Sequence, residues 1–161
     1  MDIIYSMKSK FTLGEFKRFV WSMMFKNKST VIKLALFEVA LLAIGLVIDN
    51  KIFIGFAVLY PFALWFVQNR QIKKIYNSNT LMKDAEVEYT FYEPCFSSND
   101  PSGKSRVDYE KLHKVVETKT NMYLMISENQ GFMLKKSEMP SGLEAFLRKK
   151  AEMVNAKNKK A

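Results

Sequence analysis

One cysteine and one histidine are all that this chain of 161 residues supplies. Disulfide frameworks need paired cysteines, so lone Cys95 excludes one. Structural zinc sites and thiol–imidazole catalysis need more Cys and His than this. Glycine is sparse as well: six residues, scattered, with no loop that could cradle a phosphate and no G-x-S-x-G turn. Acid is scarce in the first half. Residues 1–83 hold twelve Lys/Arg against four acids, a net of +8, whereas residues 84–161 are close to balance at +1. No catalytic residue, metal site or cofactor is expected. Asp100, Asp108 and Glu110 are spaced like a solvated loop. His113 sits between Lys111 and Lys114, a poor setting for a cation. Cys95, after Pro94, reads as an inert thiol.

What the chain does have is apolar bulk in blocks. Thirteen Phe, seven Tyr and two Trp exclude disorder throughout. Val31 to Ile48 and Ile52 to Gln68 are nearly unbroken apolar runs of about 17–18 residues, the lower limit for a membrane span. Neither has a polar face for water. Asp49-Asn50-Lys51 between them is turn chemistry, so the two form a helical hairpin. Lys33, Lys51 and Arg70 stand at the ends, where long cationic side chains reach back to the interface. Seven Lys/Arg precede or begin the first run, four follow the second, and only Lys51 marks the tip. Both ends are therefore expected on the cytoplasmic side. The first 30 residues hold no unbroken apolar core, so the first span is expected to act as its own insertion signal. Because the basic excess flanks apolar runs, it points to a bilayer and away from nucleic acid.

Glu38 is the exception inside the first run, roughly 10 Å from its start at helical rise. An ionisable group at that depth is a functional hypothesis by default. Tyr60 and Pro61 come level with it if the hairpin pivots near Asn50. Pro61 also frees the carbonyl of Ala57. A Glu38–Tyr60 hydrogen bond, a self-association contact or a role in transport all fit this placement. Lys26, Lys28, Arg70, Lys73 and Lys74 are candidates for anionic lipid headgroups.

Six segments follow. Residues 1–30 carry a short strand at Ile3-Ile4-Tyr5 and an amphipathic helix opened by the capping box Thr12-x-x-Glu15. Phe16, Phe19, Val20, Met23 and Met24 fall on one stripe of that helix. Spans at 31–48 and 52–68 lead into a basic juxtamembrane helix over 69–83. Residues 84–154 form a β-rich domain, and 155–161 a basic tail that includes Lys157, Lys159 and Lys160. In the β-rich domain Val87, Tyr89 and Phe91 alternate with Glu88, Thr90 and Tyr92. Ser97 to Gly103 reads as a turn. Ser141-x-x-Glu144 reads as a second capping box, with Leu143, Phe146, Leu147 and Met153 or Val154 facing a core. Four or five antiparallel strands closed by a C-terminal helix is the order of a pleckstrin-homology-like half-barrel. The expected class is thus an α+β membrane protein, with a two-helix transmembrane hairpin and a small cytosolic antiparallel sheet domain.

Tyr89-Thr90-Phe91-Tyr92-Glu93, Tyr109-x-x-Leu112-x-Lys114-Val115-Val116-Glu117-Thr118, Gly131-Phe132-Met133-Leu134-Lys135-Lys136 and Glu144-Ala145-Phe146-Leu147 together resemble the YcxB-like family of small bacterial membrane proteins. Phe11-Thr12-Leu13 before two short spans and Arg70-x-x-Lys73-Lys74 fit the same order. The resemblance is strongest over residues 85–150. It implies a fold and a bacterial plasma membrane, and brings no catalytic residues. The expected role is non-catalytic: binding an unidentified protein partner, in a regulatory or immunity-type setting. Alternatives are an anionic-lipid sensor or a subunit of a small oligomeric transporter or channel built on Glu38. Tyr109, Tyr123 and Phe132 are a candidate contact surface.

Overall fold

A computed structural model describes residues 2–26 and 28–158. It contains four α-helices and two antiparallel sheets, arranged as two compact units. Residues 16–78 form the helical unit; residues up to Glu15 and from Asn79 onward form the sheet unit.

The helical unit holds most of α1 (Leu13–Lys26), then α2 (Lys28–Val47) and α3 (Lys51–Ser78). Thr12 caps α1 as expected, its Oγ1 accepting from Glu15 N at 3.3 Å. Three residues, Ile48, Asp49 and Asn50, join α2 to α3. Asp49 adopts the left-handed conformation at φ 45°. Asn50 N donates to Gly45 O at 2.9 Å and Asp49 N to Leu46 O at 3.3 Å. That pair of bonds closes a Schellman motif on α2. Asn50 then opens α3, its Oδ1 accepting from Ile52 N at 2.9 Å, an N-cap in the usual sense. Below the turn the helices lie close: a Cβ on Gly45 would sit 3.0 Å from Ile54 N. Such approach at a small residue is how apolar helices pack without a polar seam. α3 is one helix from Lys51 to Ser78 with Pro61 inside it. The basic stretch expected over 69–83 is helical only to Ser78. Met82 N then turns onto Asn79 Oδ1, and Asp84 at φ 55° redirects the chain into a strand.

In the sheet unit β1 (Tyr5–Lys10), β2 (Glu86–Phe91), β3 (Cys95–Asp100) and β4 (Gly103–Asp108) make one sheet in that order. A second sheet is β5 (Lys114–Glu117), β6 (Asn121–Met125) and β7 (Gly131–Lys135). The expected N-terminal strand forms, and residues 84–154 hold six strands in place of the expected four or five. The N-terminal strand starts later than Ile3 and pairs with β2, Tyr5 opposite Phe91 and Lys10 opposite Glu86. The added strand, β3, runs through residues that read as a turn. Ser97, Ser98, Asn99 and Asp100 are held extended because they pair with β2 on one side and β4 on the other. Ser98 and Ser105 hydroxyls meet at 2.7 Å across the ladder. The turn itself shrinks to Pro101-Ser102, with Ser102 N donating to Asp100 Oδ1 at 2.8 Å and Gly103 at φ 137°.

Alternation in β2 holds: Val87, Tyr89 and Phe91 are buried, Glu86 and Glu88 exposed. They join Phe96, Leu124, Leu134, Leu143 and Leu147 in one core. α4 (Leu143–Asn158) packs on it and buries Val154, leaving Met153 exposed. The second capping box does not form. α4 starts one residue late for Ser141 to cap it, Gly142 takes φ 88° against the Tyr5 hydroxyl, and Glu144 turns to Lys136 and Arg148. Residues 155–158 of the expected tail continue α4; Lys159 and Lys160 lie outside the described residues. Of the proposed contact surface, Tyr109 and Tyr123 are buried at 5% and 1% exposure. Phe132 is half-buried, its ring 5.0 Å edge-on from Phe96. Tyr109 sits in a 3-10 turn after β4, packed on Phe96 and Phe146, and Tyr123 lies in β6, a strand buried along its whole length, so neither is open to a partner.

Candidate functional site

Glu38, Tyr60 and Pro61, singled out by their depth in the sequence, line one groove of the helical unit. It measures about 540 Å³. α1 contributes Trp21, Met24 and Phe25, and α3 adds Trp65 and Gln68. The three-helix lining has a local cause. The short turn sets α2 against α3, and Tyr60 is brought beside α2, its ring 5.3 Å from Phe37. The expected Glu38–Tyr60 hydrogen bond is not made. Glu38 forms no hydrogen bond or ion pair among the described residues, and is only half-buried. Trp21 and Phe25 lie outside the stripe of Phe16, Phe19, Val20, Met23 and Met24 that the helical spacing picks out, so this aromatic wall has no periodic signal in the sequence. Trp21 and Phe25 stack at 5.5 Å, one helical turn apart.

Around the groove, α2 and α3 as far as Val67 carry no polar face. Among the described residues, nineteen of twenty-six exposed large apolar side chains lie between Val31 and Val67. Among the described residues α3 alone is long and apolar enough to cross a membrane; α2 reaches that measure only when joined to α1 across a sharp bend. The basic candidates separate into two groups. Arg70, Lys73 and Lys74 are exposed on α3, which buries Ile72 and Tyr76 in the same stretch. Arg70 sits 4.9 Å over the Phe66 ring, an arrangement that holds a guanidinium without discharging it. Lys26 ends α1 and Lys28 begins α2, both exposed.

In the sheet unit the buried polar side chains pair with one another, except for the Tyr109 hydroxyl, which is buried without a hydrogen-bond partner among the described residues. Asn121, fully buried, donates from Nδ2 to the buried Glu15 carboxylate at 2.6 Å, tying the start of α1 to β6. A cavity of about 160 Å³ lies there, with Tyr89 on its wall donating to Met133 O at 3.4 Å. Burial, with Asp100 nearby, raises the Tyr89 pKa. A second cluster ties β5 to α4. Arg148 bonds Glu117 at 2.7 Å and Glu144 at 2.6 Å, and Lys136 bonds both carboxylates. Arg148 first and Lys136 second hold the Glu117 pKa down at about 2. Cys95 is fully buried and accepts from Arg106 Nε at 3.1 Å. Among the described residues no three His, Cys, Asp or Glu side chains come together as metal ligands.

These features define a class: an α+β chain joining an outward-apolar helical unit to an antiparallel sheet unit with its own core. Residues 91–151 match the family described as YcxB-like protein, from the end of β2 into α4. The resemblance drawn from the residue motifs holds over this stretch. No curated protein and no solved structure matches the chain.

Proposed function

We propose that this chain is a non-catalytic integral membrane protein of a bacterial plasma membrane. α2 and α3 would span it as a hairpin, with both termini cytoplasmic. The YcxB-like sheet unit would stand at the inner leaflet and bind a protein partner in a regulatory or immunity-type role. The carrying observation is the outward-facing apolar surface between Val31 and Val67, which lipid covers and water does not. The short turn through Asp49-Asn50 supports a hairpin, and the excess of Lys/Arg at its open end supports the orientation. A four-stranded sheet, a three-stranded sheet and a closing helix support the pleckstrin-homology-like reading of the domain.

Topology is tested in intact cells with single cysteines in a Cys95→Ser background. Asp49→Cys is expected to react with a membrane-impermeant maleimide, and Ser102→Cys only after lysis. Extraction of the protein by alkaline carbonate, or the reverse labelling pattern, overturns the topology. For the partner, the tagged full chain is purified from its native membrane in mild detergent. One near-stoichiometric protein supports the reading. Enriched anionic lipid alone favours the second reading, a lipid sensor using Arg70, Lys73 and Lys74. The exposure of those three cations on one face of α3 is its support. Their replacement by Gln should then abolish the lipid enrichment while topology is kept.

A further inference from the structure

We propose that the groove between α1, α2 and α3 is a binding site for an amphipathic organic cation, an ammonium or phosphonium centre carrying apolar or aromatic groups. The inference stands apart from the partner-binding reading, since it uses only the helical unit.

Three observations converge on it. The groove's volume of about 540 Å³ lies within the range of drug-sized ligand sites, about 300–1,000 Å³. Its single ionisable carboxylate is Glu38, and that carboxylate is unpaired among the described residues. Cations are not lacking: residues 16–78 contain nine Lys/Arg against only Glu38 and Asp49, and none of them pairs with Glu38. That carboxylate is thus left for something outside the chain. The third observation is the wall. Both tryptophans of the protein, Trp21 and Trp65, lie on different helices and converge on this groove, together with Tyr60 and Phe25. Trp is the strongest cation–π partner among the aromatic side chains. An apolar molecule would use the rings and waste the acid. A small inorganic cation would use the acid and waste the rings. A hydrophobic organic cation satisfies both, and it can reach the site through lipid.

The test is equilibrium dialysis of radiolabelled tetraphenylphosphonium against the full chain in detergent micelles, with empty micelles subtracted. Saturable binding is expected, displaced by unlabelled tetraphenylphosphonium and not by uncharged triphenylphosphine oxide. Glu38→Gln should weaken it about tenfold or more, Glu38→Asp less, and Trp65→Leu by several-fold. Absence of saturable binding overturns the proposal. Equal displacement by the uncharged competitor also overturns it, because the groove would then be filled by apolar bulk such as an acyl chain. That arm uses the unsubstituted protein, so it decides even where a variant elutes as aggregate. Unchanged affinity in folded Glu38→Gln overturns it too.

Discussion

The two units turn their apolar side chains in opposite directions. In the sheet unit Val87, Tyr89, Phe91, Phe96 and Leu124 point into a shared core, and Glu86 and Glu88 point out. In the hairpin Leu36, Val39, Leu46, Phe56, Leu59 and Phe62 all point out, each above 60% exposed. Only small or turn-adjacent residues lie inside, Gly45 and Ala57 among them. One unit therefore brings its own solvent-excluding interior, and the other depends on its surroundings. Stability of the first is written in side-chain packing. That of the second is written in backbone approach and in what covers it.

The contrast is broken most strongly in the core. Phe96 is fully buried, with ring centroids of Phe91, Tyr109 and Phe132 within 6.1 Å. Phe96→Ala should cost about 3–5 kcal/mol of sheet-unit stability, read as a lowered urea midpoint for near-ultraviolet dichroism. Phe56→Ala, on an equally large but outward ring, should leave that midpoint unchanged.

Backbone approach gives the next effect. Gly45→Ala forces a methyl group to within 3.0 Å of the Ile54 backbone, an overpacking expected to cost about 1–3 kcal/mol. Cysteines replacing Phe37 and Tyr60, whose rings are 5.3 Å apart, should cross-link in lower yield in the Gly45→Ala background.

Buried polar pairing comes next. Asn121→Ala leaves the Glu15 carboxylate buried without its 2.6 Å donor, a loss of about 1–3 kcal/mol. Pairing it with Glu15→Leu should recover part of the loss, seen in a double-mutant cycle.

The smallest effect is electrostatic. Glu117 has a folded-state pKa of about 2, below the ordinary 4.5, because Arg148 and Lys136 stabilise its charge. Its contribution is present above pH 4.5 and lost as pH falls toward 2. The side chain is about a third exposed, so solvent screening limits this to about 0.5–1 kcal/mol. Glu117→Gln should flatten the acid limb of stability between pH 4.5 and 2, and added salt should shrink the difference.

Period-two alternation made β2 readable from Val87, Tyr89 and Phe91 alone, and the helical spacing of Leu143 and Leu147 located α4. Strand β3 was hidden because Ser97-Ser98-Asn99-Asp100 has the residues of a turn; its extended form comes from partners on both flanks. β1 was recognisable only as a short apolar stretch, since its partner β2 lies beyond the helical unit. At the candidate site, Glu38, Tyr60 and Pro61 could be grouped from depth and hairpin geometry. Trp21 and Phe25 could not, because whether α1 lines a groove depends on the bend between helices and not on periodicity.

By itself the sequence determined the apolar blocks, the turn between them, the charge asymmetry and the family-like pattern of the sheet unit. All of these are local properties, set by side-chain type and spacing. Tertiary structure alone decided that Ser97 to Asp100 would be a strand, that Tyr109 and Tyr123 would be core, and that Glu38 would face two tryptophans and no cation. Each depends on which distant segments meet, and local preference carries no information about that.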